Sequence, residues 1–223
     1  MKDFNVLILE DDSVIALRIK QLLVKNNFNV IGIASDCQKT INLLQEYKVD
    51  LIIADITIKG DLNGIATIKL IQKSFDILTI FLTSHQEDKF LKQASEVNFT
   101  GYLVKPFIEE SLIREVKLAY HRYSNNINDS LIKLNSNYIY DLNTQILTKD
   151  KNEIILSKNE KFFLHILILN KNRIVLNKVI DQLLWNDTIV DDVSRRQLLF
   201  RLRKKLPELD IETIKATGYK LTI

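Results

Sequence analysis

Short apolar runs alternate along the first half of the chain with longer stretches in which apolar positions recur every three or four residues. The runs Val6–Leu9, Val30–Ala34, Leu51–Ala54, Ile77–Leu82 and Tyr102–Val104 predict β-strands. Several are apolar almost throughout, as strands covered on both faces are. Between them, helical spacing predicts Ser13–Lys25, Gln38–Tyr47, Gly64–Lys73, Gln86–Val97 and Glu109–Tyr123, with Ile15, Ile19, Leu22 and Leu23 marking the buried side of the first. Strict strand–helix alternation is the pattern of βα units. It predicts an α/β domain over residues 1–123, built on a doubly wound, five-stranded parallel sheet.

The pattern then changes. Residues 124–130 are polar and read as a linker. Beyond them, Leu131–Leu134, Tyr138–Leu142, Gln145–Thr148 and Glu153–Leu156 are short alternating segments between Asn, Asp and Lys turns, which predicts a small antiparallel sheet. Helices are expected at Ser157–Asn170, Asn177–Trp185 and about Ser194–Leu206. Ser157 with Glu160 three residues on forms a capping-box pattern at the start of the first. The segment from Glu212 to Ile223 reads as a hairpin turning at Ala216–Gly218, and residues 131–223 form the second domain.

At 223 residues the chain is long enough for two domains, and 46% apolar with 26% charged residues is an ordinary globular composition. The single cysteine, Cys37, excludes an intrachain disulfide framework and a Cys-rich metal site. The start of the chain lacks the apolar core of a signal peptide, and no run is long enough to span a membrane, so a cytoplasmic protein is expected. The net charge of +3 matters only once divided: residues 1–123 carry 15 Lys/Arg against 16 Asp/Glu, residues 124–223 carry 16 against 12. Val193 to Leu206 holds six basic residues and no acidic one. Local basic charge of this kind is what nucleic-acid binding requires.

Candidate chemistry gathers at the C-terminal ends of the predicted strands. Glu10-Asp11-Asp12 follows the first, Asp55 the third, Thr83 the fourth and Lys105-Pro106 the fifth. In an open α/β sheet this edge holds the active site. Neighbouring carboxylates repel one another unless a cation compensates, and an all-oxygen set suits Mg²⁺. A lysine ammonium and a threonine hydroxyl nearby suit phosphoryl oxygens. Taken singly, Asp12 beside Ser13 reads as a helix cap, Tyr102 as a packed strand aromatic, and His165 in its apolar run as core.

The set Glu10-Asp11, Asp55, Thr83 and Lys105-Pro106, in this order, resembles the receiver domain of two-component response regulators over residues 3–123. The resemblance implies Asp55 as phosphoacceptor. It implies Mg²⁺ held by Asp11, Asp55 and the carbonyl of Thr57, with Glu10 acting mainly through water. Thr83 and Lys105 would contact the phosphoryl group, and Tyr102 is similar to the aromatic position that turns inward when the threonine moves. Departures exist. Lys59 stands where a proline is usual, and the loop after Asp55 is one residue longer than common. Thr57 and His85 occupy positions that tune dephosphorylation in that family.

At 3.6 residues per turn, Leu198, Leu199, Leu202 and Leu206 share the core side of the Ser194–Leu206 helix. Ser194, Gln197, Arg201, Lys204 and Lys205 fall opposite, flanked by Arg196 and Arg203. Arg can read guanine and Gln adenine in the major groove. Arg195 falls on the inward side, either with a packed stem and a snorkelling head or on a helix rotated from this estimate. The run Arg201 to Leu206, followed by Thr213 to Leu221, resembles the recognition helix and wing of the OmpR/PhoB-type winged helix-turn-helix domain. That resemblance implies Gln197 and Arg201 at bases, Arg203 at the backbone and Lys215 in the minor groove.

Together these imply a non-enzymatic, DNA-binding transcriptional response regulator. A sensor histidine kinase would phosphorylate Asp55, and the face of fourth helix, fifth strand and fifth helix would form a homodimer on double-stranded promoter DNA, with RNA polymerase left open as a further partner. Thr100-Gly101 and Glu115 replace the acidic pair and the basic residue usual at that dimer face. Phosphorylation-independent DNA binding, or a protein-interaction module, are the alternatives.

Overall fold

The computed structural model describes residues 4–84, 94, 96–125, 131–185 and 190–223. The chain divides into two compact units, Met1–Asn128 and Asp129–Ile223.

In the first unit, strands β1 (Asn5–Leu9), β2 (Asn29–Ala34), β3 (Leu51–Asp55), β4 (Leu78–Thr83) and β5 (Gly101–Val104) form one parallel sheet in the order β2-β1-β3-β4-β5. Alternate residues face opposite layers. Val6, Ile8, Leu51, Ile53, Ile80 and Leu82 pack with Ala16, Ile19 and Leu23 of α1 (Ser13–Lys25) and with Leu112, Val116 and Ala119 of α4 (Glu109–Asn125). Helices α2 (Cys37–Glu46) and α3 (Gly64–Ile71) complete the alternation. Caps fix three helix starts: Asp12 accepts from Val14 and Ile15, Asp36 from Lys39, and Asn63 from Ala66. Each such cap is worth about 1 kcal/mol. The expected helix Gln86–Val97 falls largely outside the described residues, as do residues 126–130 of the expected linker.

In the second unit, β6 (Leu131–Lys133), β7 (Tyr138–Asp141), β8 (Ile146–Lys149) and β9 (Asn152–Glu153) form an antiparallel meander. Helix α5 (Lys158–Leu169) follows, opened by the full Ser157/Glu160 capping box. It is buried on nearly every side, and His165 lies in that core with Nδ1 2.8 Å from the Tyr140 hydroxyl. Burial lifts the Tyr140 pKa far above that of an ordinary phenol, so the hydroxyl stays protonated in this buried hydrogen bond. Then come β10 (Ile174–Leu176), α6 (Asn177–Trp185), α7 (Asp192–Lys205) and the hairpin of β11 (Asp210–Ile214) and β12 (Gly218–Thr222). Strand β10 was not predicted from the sequence; it pairs with β12 and makes the hairpin a three-stranded sheet. Among the described residues no helix is long and apolar enough to cross a membrane.

Candidate functional site

The sheet order reverses between β1 and β3: from β1 the chain moves outward to β2, and from β3 outward to β4. At such a switch point the loops leaving the two strands diverge and open a crevice. Glu10 and Asp11 therefore stand beside Asp55, and carboxylate oxygens of all three lie within 4.8 Å of one another. Glu10 and Asp55 are 2% and 7% exposed, so their charges need partners. Lys105, arriving from the end of β5, supplies one: its Nζ stands 2.6 Å from Glu10 Oε2 and 2.9 Å from Asp55 Oδ2. The Lys105 amide also donates to the Thr83 carbonyl at 2.7 Å, which pins the lysine to the end of β4, where Thr83 is buried. Thr57 N–H donates to Asp55 Oδ1 at 3.2 Å.

The electrostatics follow from burial and crowding. Burial alone would lower the Lys105 pKa, but its bonds to Glu10 and Asp55 carry it above the ordinary lysine value, so it stays cationic. Burial raises the Glu10 carboxyl, and the Asp55 charge pushes in the same direction against the pull of Lys105. Three carboxylates thus share one enclosed cation, a site short of positive charge.

Two further residues shape this edge. The first helical residue of α3, Gly64, has no alternative: a Cβ there would lie 1.9 Å from the Asp55 carbonyl oxygen. Lys59, in the loop between β3 and α3, reaches to 3.5 Å from Asp11 Oδ2 with its side chain largely in solvent. Tyr102 is half-buried on β5, its ring 6.4 Å from that of Phe99. His85 lies outside the described residues.

On α7, Leu198, Leu199, Leu202 and Leu206 are buried as the helical spacing requires. The helix starts two residues earlier than expected, with Asp191 as its cap; Asp191 Oδ1 accepts from both the Ser194 amide and hydroxyl at 3.0 Å. Among the expected contact residues, Gln197 and Lys204 are exposed, and so is Lys215 at the β11–β12 turn. Arg196 is exposed and pairs with Asp192, while Arg201 stands 3.9 Å from Glu160 Oε1. Ser194 is half-buried, and the last two, though exposed, are bonded to neighbouring elements. Arg203 Nε donates to the Ile211 carbonyl at 3.2 Å and Nη2 to Thr213 Oγ1 at 3.1 Å. Lys205 Nζ bonds Glu160 Oε2 at 2.8 Å and the Ile155 carbonyl at 3.1 Å.

For Arg195 the structure favours the second of the two expected readings, a helix rotated from the sequence estimate. Its head does not snorkel: Nη1 pairs with Asp181 Oδ2 of α6 at 2.6 Å, and the side chain is 12% exposed. Sequence reasoning missed Asp181, and it also passed over Val193 and Phe200, which are 53% and 69% exposed on the outer side of α7. The burial pattern centres that side on Val193, Gln197, Phe200 and Lys204, rotated from the expected Ser194–Arg201–Lys205 edge.

Comparison with known proteins covers both units. The family described as "Response regulator receiver domain" matches residues 6–117, and "Transcriptional regulatory protein, C terminal" matches residues 151–221. Response regulator protein GraR of Staphylococcus aureus (strain bovine RF122 / ET3-1) is 29% identical over 221 residues, covering 96% of this chain and 98% of that protein. GraR of Staphylococcus epidermidis (strain ATCC 35984) is 27% identical over 221 residues, with the same coverage of 96% and 98%. A solved N-terminal domain of a response regulator/sensory box/GGDEF 3-domain protein from Carboxydothermus hydrogenoformans is 29% identical. It covers 56% of this chain and 99% of its own length, with a TM-score of 0.51.

Proposed function

Because the chain belongs to the two-component response regulators of the OmpR/PhoB type, we propose that Asp55 is the phosphoacceptor through which a sensor histidine kinase controls its DNA-binding domain. One observation carries this reading: Asp55, at the end of β3, lies 2.9 Å from Lys105 and within a carboxylate cluster at the switch point of the sheet.

The Asp55 carboxylate is the nucleophile. One of its oxygens bonds to phosphorus as the bond from phosphorus to the donor nitrogen of a phosphohistidine breaks, and the imidazole leaves. Lys105, held cationic by its two carboxylate partners, then has a phosphoryl group beside it in place of a bare carboxylate. The Thr83 hydroxyl at the end of β4 is the second group suited to a phosphoryl oxygen. The enclosed site sets three carboxylates against one lysine, and its donors are all oxygen, a set that fits Mg²⁺. Glu10, Asp11, Asp55 and the carbonyl of Thr57 would hold it. Bound there, Mg²⁺ would neutralise the carboxylates and the incoming phosphoryl oxygens.

The output is DNA binding in the cytoplasm. The switch runs from Thr83 through Tyr102 to a homodimer on promoter DNA, where contact with RNA polymerase follows. Ser194, Arg196, Gln197, Arg201, Arg203, Lys204 and Lys215 form the DNA-facing set, and Lys205, bonded to Glu160, stands apart from it.

Incubation with acetyl phosphate should label the wild-type protein and not Asp55→Ala; retained labelling would overturn the assignment. A second reading rests on Gly101 and Glu115. The glutamate carboxylate closes on Gly101, where a Cβ would lie 2.5 Å from Oε2, and β5 presents no acidic pair. If dimerisation is thereby uncoupled, Asp55→Ala will bind DNA as tightly as the phosphorylated wild type.

A further inference from the structure

We infer that Phe200 reads sequence, through apolar contact of its ring with a thymine 5-methyl group in the major groove. This goes beyond the polar base contacts proposed above and rests on the DNA-binding assignment of the second unit.

Helix α7 has two kinds of apolar residue. Leu198, Leu199, Leu202 and Leu206 are at most 4% exposed and form its core side. Phe200 is 69% exposed and Val193 53%, although a fully buried residue of this kind would gain about 1.5–3 kcal/mol. A single exposed apolar residue on a protein surface is ordinary. What sets Phe200 apart is its company.

On the helical period, Gln197 and Lys204 lie one turn before and after it, and Arg196 and Arg203 flank it on the other side. Phe200 lines a cleft between α7 and the β11–β12 hairpin, together with Arg196, Arg203, Thr213, Ile214 and Lys215. Arg203 bonds the Ile211 carbonyl and so holds helix and hairpin against one another on either side of that cleft. Asp192, paired with Arg196, also lines the cleft, but Arg196, Arg203 and Lys215 outweigh it, so the ring projects from a surface of net positive charge on a fixed frame. Such a surround selects a polyanion, and a rigid helix face selects the duplex major groove.

Within the major groove, the apolar feature that distinguishes one base pair from another is the thymine methyl group. Cations beside the ring hold phosphates and orient the helix, and carry no sequence information. The ring cannot hydrogen-bond a base edge, so a thymine methyl is the contact that suits it. A second protein surface is the rival occupant, and the test separates the two.

The full-length protein and Phe200→Ala are each used to select duplexes from a randomised double-stranded library at physiological salt. Every thymine of the best wild-type site is then replaced in turn by deoxyuridine, which removes only the methyl group. The expected result is at least one thymine whose replacement weakens wild-type binding about fourfold, the equivalent of one buried methyl group, and leaves Phe200→Ala unaffected. Phe200→Leu should retain part of that sensitivity. Deoxyuridine replacements that affect wild type and Phe200→Ala equally would overturn the inference while leaving DNA binding intact. Failure of the wild type to enrich any duplex would overturn it together with the DNA-binding assignment. A change of oligomeric state in Phe200→Ala, with wild-type binding insensitive to deoxyuridine, would place Phe200 in a protein interface and overturn it too.

Discussion

Lys205 Nζ stands 2.8 Å from Glu160 Oε2 and joins the last turn of α7 to the first turn of α5. Glu160 is 2% exposed and also accepts from the Ser157 amide at 2.8 Å, so one carboxylate closes a capping box and anchors the neighbouring helix. Burial would raise its pKa, but the bonds from Lys205 and Ser157 outweigh burial and hold it below the ordinary glutamate value.

That depression fixes a pH dependence. A carboxyl whose folded pKa lies below its unfolded value contributes stability above the unfolded pKa, and the contribution is lost as pH falls through the folded one. Glu160→Gln should cost about 2 kcal/mol at pH 7, the order expected for removing a charged hydrogen bond from a buried group. The gap between variant and wild type should narrow below about pH 4.5. Urea unfolding at pH 7 and pH 4 measures both; an equal gap at the two pH values would contradict it.

The same bond separates two adjacent lysines that the sequence places in one class. Both are exposed, but Lys205 is bonded to Glu160 of α5. Lys204→Ala should reduce the slope of log K against log salt for DNA binding by about 0.9, the value of one phosphate contact. Lys205→Met should leave that slope nearly unchanged and lower the unfolding midpoint instead. Equal slopes for the two variants would return Lys205 to the DNA contact set.

Lys59 occupies the solvent side of the carboxylate cluster, 3.5 Å from Asp11 Oδ2. An exposed pair of this kind is worth about 0–1 kcal/mol, enough to compete with a divalent cation by up to about fivefold. Lys59→Ala should therefore bind Mg²⁺ more tightly by that factor in calorimetric titration of the unphosphorylated protein. Weaker binding would mean that Lys59 does not compete for Asp11.

Gly64 tests how β3, the strand that carries Asp55, is held. A methyl group there meets the Asp55 carbonyl oxygen at 1.9 Å, and the neighbouring atoms are backbone, so no rotamer relieves the clash. Gly64→Ala should cost about 1–3 kcal/mol in urea unfolding, the range for overpacking, and slow acetyl phosphate labelling as the end of β3 shifts. Gly60→Ala, at a position with φ of +105° but with its nearest neighbour 3.8 Å away, strains only the local backbone and should leave the labelling rate closer to wild type.

The parts legible in the sequence were those carried by local pattern. Leu51–Ala54 is apolar throughout because β3 is buried on both faces, and the residue that ends it had to be the polar Asp55 at the sheet edge. The parts that were not legible depend on partners distant in sequence. Ile174–Leu176 is three residues long and becomes a strand only because β12 returns beside it. Lys205 looked like a solvent lysine because Glu160, its partner, lies forty-five positions away. The rotation of α7 was misjudged because Arg195 was the one inward position without an apolar side chain, and nothing nearby in the sequence identified Asp181 as its partner.

The Arg195–Asp181 pair gives the sharpest energetic contrast in the second unit. The hydrogen bond that Arg195 donates to Asp181 raises its pKa and outweighs burial, which discourages the charge. The pairing is incomplete: among the described residues, Asp181 Oδ1 and Arg195 Nε have no hydrogen-bond partner. An ion pair with unmet polar atoms holds little advantage over apolar packing, whereas one member left alone is an uncompensated charge in a poorly hydrated place. Asp181→Ala should therefore cost about 3 kcal/mol, at the low end for a broken buried pair, because Arg195 keeps Asp192 Oδ1 at 3.4 Å and 12% exposure. Arg195→Leu combined with Asp181→Leu should lie within about 1 kcal/mol of wild type. Chemical denaturation of the two variants decides it. A double variant as unstable as Asp181→Ala would show that the ion pair itself orders α6 against α7, and that charge at position 195 is needed for the fold.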